Sequence, residues 1–375
     1  MRSVRRAYVH RIATRGPDDV SGLEAMIAAG QIDASAILAI FGKTEGNGCV
    51  NDFTRGFAAR ALKDALRRHA PAEAADAVCI VMSGGTEGAL SPHILVFEAR
   101  PGEEAGEKGA LAIGRARTAH LPYESLGRLG QVDLVAEGVR AAMRDAGIVD
   151  ASDVHFVQIK CPLLTAERIA EAEARGAATA TRDTLKSMGF SRAASSLGVA
   201  VALGEIDSAA LDEAAIGRDW SLYSERASAS AGVELTDHEI VVIGTAPGWS
   251  GPLRVAHCVM RDAIDIEPVR SALHELGLGA AGQIGAADRP RMVALLAKAE
   301  AGSTGALRGH RHTMLDDSDI SSTRHARAFV AGALAGLVGH AEIYVSGGAE
   351  HQGPDGGGPV AVIASQAGAT RGVPT

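Results

Sequence analysis

The feature that most constrains this chain is one short phrase written three times. Ser83-Gly84-Gly85-Thr86-Glu87 follows an apolar, strand-like run that includes Val78, Ile80 and Val81. Far downstream, Ser346-Gly347-Gly348-Ala349-Glu350 follows another such run. A weaker copy, Ser230-Ala231-Gly232-Val233-Glu234, stands just before "HEIVVIGTA". Three units of unequal loop length would fill the chain, and internal repeats of this kind decide a fold before any local propensity does.

A true repeat brings other positions back in the same order. Upstream of each serine an arginine follows Ser or Thr at what reads as a capped helix start: Arg55 in "FTRGFAARAL", Arg192 in "FSRAASSLGVAVAL" and Arg324 in "STRHARAFVAGAL". Upstream of each arginine a lysine closes an apolar run: Lys43 after "SAILAIFG", Lys160 after "HFVQI" and Lys298 after "RMVALLA". Taken singly, each has a bland reading: a solvated lysine, a surface ion pair, a turn. The order Lys, Arg, Ser returning three times speaks against the bland reading of the whole set, although the lysine flanks share little beyond their apolar runs.

β-Branched stretches such as "EIVVIG" and "VAVIAS" alternate with Ala-rich ones such as "LVAEGVRAAMRDAG", so each unit reads as strand, helix, strand, helix. Loop-like joins fall near 100–118 and 246–256. The expectation is an α+β protein of three homologous α/β repeat units, 1–104, 112–248 and 254–375, about a pseudo-threefold axis. At 375 residues the chain is too long for one ordinary domain, and at 46% hydrophobic but 3% aromatic its cores must be built from Ala, Val, Leu and Ile. A formal charge of −8 gives no basic stripe for nucleic acid. Four scattered cysteines without a C-x-x-C fit a reduced, cytoplasmic setting. The basic N-terminus lacks the apolar region of a secretory signal, and no run approaches a membrane span.

Three serines, three lysines and three arginines brought to one centre would suit a flat, carbonyl-rich small molecule. Lysine beside serine acts as a general base when burial and neighbouring cations depress its pKa. Backbone N–H groups at the serine turns suit a carbonyl oxygen, and arginine supplies a planar fork of donors. The chemistry indicated is acyl transfer or amide hydrolysis.

"FGKTEGNGCVNDFTRGFA", "MSGGTEGALSPH", "ASASAGVEL" and "VSGGAEHQGPDGGGPVAVIA" resemble the ring-opening amidohydrolases, the cyanuric acid hydrolase and barbiturase family, in order over nearly the whole chain. The resemblance implies three similar domains in a barrel-like core with the active site at their junction. It implies Lys160 and Ser230 as the catalytic pair. Lys43, Ser83 with Gly84, Lys298, Ser346 with Gly347, Ala231, Arg55, Arg192 and Arg324, together with Ser230 itself, would bind substrate. Within the family the expected substrate is cyanuric acid, opened to carboxybiuret and then biuret and carbon dioxide; barbituric acid is the alternative. A non-catalytic binding protein on the same scaffold is a third reading, disfavoured by retention of all three Lys/Arg/Ser sets. A structural Mg²⁺ or Ca²⁺ is implied as well, held by Glu300, Ala349, Gln352, Gly353, Pro354 and Gly357 through carbonyls, the Gln352 amide and one carboxylate, all hard oxygen donors. No organic cofactor is implied, and a homotetramer is.

Ser228, two residues from Ser230, falls out by alignment with the repeat. "FGKT" lacks the first glycine of a phosphate loop, since position 37 is Ile37. "GLGAAG" follows a helical stretch rather than a strand and reads as a helix end and loop. His310 and His312 read as a polar loop, and Asp316–Asp319 as a solvated cap. Glu87, Glu234 and Glu350 recur with the serines; orienting a lysine or bonding turn N–H groups is the expected role, and general-acid work is the alternative.

Overall fold

The computed structural model describes residues 4–103, 109–316 and 319–366. Residues 104–108 of the expected first join, and two of the "DDSD" residues, lie outside them. The first unit runs β1 (Arg5–Ala13), α1 (Ser21–Ala28), β2 (Ile37–Thr44), α2 (Phe53–His69), α3 (Ala72–Asp76), β3 (Cys79–Gly84) and β4 (His93–Pro101). The second runs β5 (Ala110–Arg117), α4 (Leu129–Ala146), β6 (Val154–Pro162), α5 (Ala166–Ala174), α6 (Thr184–Leu203), β7 (Ala227–Gly232) and β8 (Glu239–Ala246), and is followed by the short β9 (Trp249–Ser250). The third runs β10 (Leu253–Met260), α7 (Glu267–Glu275), β11 (Met292–Ala299), a hairpin of β12 (Ala306–Leu307) and β13 (His310–Arg311), α8 (Ser322–Val338), β14 (Tyr344–Gly347) and β15 (Gly358–Ser365).

Each unit holds a four-stranded sheet of one order: third, second, fourth, first. These are β3-β2-β4-β1 (extended by β9), β7-β6-β8-β5 and β14-β11-β15-β10. The second and third strands run parallel and the fourth lies antiparallel between the second and first. Every unit therefore carries two strands more than the sequence reading gave it, because its serine stands inside a strand and not on a turn. The second strand of each sheet also starts with the same irregularity against the fourth, one extra residue at Leu38, His155 or Val293. A bulge there sharpens the local twist.

The three sheets are not hydrogen-bonded into a closed barrel, but their inner faces share one core. Phe41, Val81 and Phe97 of the first sheet, Phe156 and Ile159 of the second, and Leu296, Tyr344 and Ile363 of the third belong to it. Outward residues of the first sheet, such as Ile40, Ile80 and Val96, pack under its helices with Leu62 and Leu66. Burial on both faces explains the continuous apolar runs. Side chains alternate along a strand, so Lys43 and Ser83 fall on the same inner face as Phe41 and Val81. No helix of the described residues is long and apolar enough to cross a membrane.

Candidate active site

Strand register brings the repeat together. Lys43 lies opposite Ser83, Lys160 opposite Ser230 and Lys298 opposite Ser346 on parallel neighbours. All three lysines are at most 1% exposed. Each Nζ also donates across to another unit, to the carbonyl just ahead of that unit's serine: Lys43 to Val345 O at 2.8 Å, Lys160 to Met82 O at 2.8 Å and Lys298 to Ala229 O at 2.9 Å. The amines are thus pinned at the seams between sheets. Burial, with Arg327 nearby, holds the Lys43 pKa well below the ordinary lysine range. Burial and the Arg192 charge bring Lys298 to about 7. Lys160 is lowered by burial too, against the opposing pull of Glu234. A buried lysine that sheds its proton is a usable base.

Ser83, Ser230 and Ser346 line one cleft with Gly84, Ala231 and Gly347, and with Arg55, Arg192 and Arg327. The third arginine is a correction. Arg324 faces only the outer vestibule, a space of about 570 Å³, whereas Arg327, one turn further along α8, is buried and reaches the serines. Arg192 grips Glu350 (Nε to Oε2, 2.7 Å) and Arg327 grips Glu87 (Nε to Oε2, 2.6 Å), each across a unit boundary. Arg55 instead donates to Ala231 O at 3.0 Å and Cys49 O at 2.6 Å. The helix-start rule caused the misplacement. The caps are Asp52, Asp183 and Ser321, and Arg192 sits more than two turns inside α6. Ser191 and Ser195 tolerate mid-helix burial because the Gln131 amide donates to both. A better signal was the local spelling shared by Arg55-Gly56-Phe57 and Arg327-Ala328-Phe329.

The second copy breaks the pattern at two places. Lys43 donates to Ser83 Oγ at 3.1 Å and Lys298 to Ser346 Oγ at 3.3 Å, whereas the Lys160 Nζ lies 2.7 Å from Glu234 Oε1. Ser230 Oγ stands 3.0 Å from Ser346 Oγ. Beneath them the buried Tyr344 hydroxyl lies beside Ser83 and Ser230, its pKa pushed up by burial. Ser228 Oγ donates to the Gln158 amide oxygen at 2.8 Å, and Ser230 rather than Ser228 lines the cleft.

The loop after Ser346 has the donor chemistry of a hard-cation site. Glu300 is half-buried there, with its pKa raised by desolvation and by the neighbouring Glu350 charge. Its Oε2 accepts from Thr323 Oγ1 at 2.9 Å and Gly348 N at 3.1 Å. The Ala349 and Pro354 carbonyls each accept one backbone bond, leaving a lone pair for another partner. The Gln352 amide oxygen likewise accepts one bond, from Ala229 N at 2.7 Å, and keeps a lone pair. Among the described residues no group of three or more His, Cys, Asp or Glu could hold a metal. A cation here would rest on carbonyls and Glu300. His310 is exposed on the β12–β13 hairpin.

A four-stranded unit repeated three times, with a serine opposite a buried lysine in every copy, defines a repeat protein built around a shared serine–lysine cleft. The pattern of the family described as amidohydrolase ring-opening protein matches residues 8–365, and the chain belongs to that family. Two relatives, both called cyanuric acid amidohydrolase, are closely similar. One, from Bradyrhizobium sp. (strain ORS 375), is 64% identical over 96% of this chain and 98% of its own. The other, from Azorhizobium caulinodans, is 65% identical with the same coverage. A crystal structure of the A. caulinodans cyanuric acid hydrolase superposes with a TM-score of 0.90 at 64% identity, covering 97% of this chain and 99% of that one. A second cyanuric acid hydrolase structure, described as evolutionary innovation by structural concatenation, reaches 0.92 at 49% identity over 96% and 100%.

Proposed function

We propose that this chain hydrolyses cyanuric acid, opening its ring to carboxybiuret, which loses carbon dioxide to give biuret. The observation that carries the reading is the cleft that gathers Ser83, Ser230 and Ser346 with Arg55, Arg192 and Arg327, a grip of three like parts for a ring with three like carbonyls. Its close relatives carry that activity in their names. The units 1–104, 112–248 and 254–375 would sit about a pseudo-threefold axis through this cleft, which the lysine bonds from unit to unit support.

Lys160 is the base and Ser230 the nucleophile. Ser230 Oγ attacks a ring carbonyl as its proton passes to the Lys160 amine. Backbone N–H groups at Ser230 and Ala231 face the developing oxyanion. The ring C–N bond breaks with proton return to nitrogen, and water releases the acyl-enzyme. The other two pairs and the arginines hold the remaining carbonyls. A Mg²⁺ or Ca²⁺ on Glu300 and the carbonyls of Ala349, Gln352, Gly353, Pro354 and Gly357 would brace the loop after Ser346 and take no part in the chemistry. A homotetramer belongs to the same reading, checked by sedimentation.

The test is turnover of cyanuric and barbituric acids by the purified protein. Cyanuric acid is expected to be consumed and barbituric acid to be the poorer substrate. Ser230→Ala is expected to lose about 10⁴-fold or more in kcat, and more than Ser83→Ala or Ser346→Ala. Turnover of neither ring overturns the reading.

A further inference from the structure

Three serine–lysine pairs of like register and burial face one cleft, and local structure must single one out. The glutamate that closes each repeat does so. Glu87 is held by Arg327 and Glu350 by Arg192, each an arginine from another unit. Glu234 is turned from that role and lies 2.7 Å from Lys160 of its own unit. The backbone explains the turn. Gly85 and Gly348 have left-handed φ of 105° and 77°, leaving room that a Cβ would deny to Arg327 and Arg192. Gly232 is not left-handed: β7 runs one residue further than β3 and β14, through Gly232, and the Glu234 carboxylate folds back over it, 2.1 Å from where a Cβ would stand. Arg55, freed of a glutamate, binds the Ala231 carbonyl.

We propose that Glu234 is the positioning residue that makes Lys160 the working base of the set, holding its amine toward Ser230 and taking up the amine's proton as Lys160 accepts that of Ser230. The inference rests on the reading of Ser230 as nucleophile. As Ser230 Oγ bonds to the carbonyl carbon, its proton passes to Nζ, and a proton already on Nζ passes to Glu234 Oε1. When the C–N bond breaks, the leaving nitrogen takes a proton from Nζ and Glu234 returns its own, so the pair ends as it began. The charged and titratable groups facing the pair are Arg55 from α2 and Cys161, next along β6; Arg168 of α5 is engaged by the Val233 carbonyl at 2.9 Å. Burial pushes the Glu234 pKa up, but Lys160 and Arg55 outweigh it and leave the carboxyl below its usual value.

The test is the pH dependence of kcat in Glu234→Gln and Glu234→Asp. In the parent the working form is the ammonium–carboxylate pair, so the acid limb of the profile is protonation of Glu234, whose carboxyl lies below its usual value. Without that carboxylate the Lys160 amine must first lose its own proton, so the limb moves to higher pH. The Gln variant is expected to lose about 10²- to 10³-fold in kcat, with the limb so displaced and KM changed less than threefold. The Asp variant, which keeps a carboxylate one methylene back, is expected to recover at least tenfold of the loss. Glu87→Gln, which loosens Arg327, is expected to raise KM and leave the limb in place. A Gln variant within threefold of the parent, a loss with an unmoved limb, or an Asp variant no better than Gln overturns the inference. Ser230→Ala run beside them separates the two claims: an active Ser230→Ala overturns the nucleophile, whereas an inactive one with an unaffected Gln variant overturns only the role of Glu234.

Discussion

Lys43 shows what burial does to one residue's proton. Unfolded, it keeps its proton to near the ordinary 10.5; folded, it sheds it well below that value, chiefly through desolvation. Between those two points the unfolded chain binds more protons, so this residue makes stability rise with pH over that window and costs stability below it. Lys43→Met removes the contribution: its urea midpoint is expected to rise less than the parent's between pH 7 and pH 10. Arg327 and Arg324 make a second residue-scale contrast. Arg327→Ala is expected to raise KM tenfold or more, and Arg324→Ala, out in the vestibule, less than threefold in steady-state assays. Recurrence in order made the lysines and serines legible, although each lysine alone looked like a surface residue. The arginine of α8 was not legible in the same way. A capping rule fixes where a helix starts, while contact with a distant serine depends on which turn of the helix meets the cleft.

At the scale of elements, equivalent glycines are expected to do different work. In Gly85→Ala the φ of 105° and the Arg327 guanidinium at 2.1 Å from the new Cβ would displace that arginine, and KM is expected to rise about tenfold or more. In Gly232→Ala no left-handed strain arises, but the methyl would push the Glu234 carboxylate off Lys160, so kcat is expected to fall with KM nearly unchanged. Full kinetics on the two variants check the contrast. The strands themselves were half legible. Their apolar runs announced strands, but six residues such as "CIVMSG" ending in Ser-Gly look like a turn until the partner strand is known. The bulges at Leu38, His155 and Val293 leave no mark that three unrelated side chains could share, because a bulge answers to sheet twist rather than to residue type.

For the whole molecule, the shared core means that no unit is complete alone. Cut free, residues 4–103 would expose Phe41, Val81, Leu95 and Phe97, which the other two sheets cover. That fragment is expected to bind ANS and to lack native near-UV dichroism, and the intact chain to unfold in one transition. Millimolar Mg²⁺ or Ca²⁺ is expected to raise Tm by several degrees, since an ion at about a hundred times its Kd adds about 2.7 kcal/mol, and Glu300→Ala to abolish the rise in a thermal scan. The ring of serines has one more consequence, and it is statistical. A substrate with a threefold axis can dock in three indistinguishable poses, each presenting a carbonyl to Ser230, so its encounter carries a degeneracy of three, about 0.6 kcal/mol at room temperature. A ring with one position altered loses that multiplicity before any contact is compared.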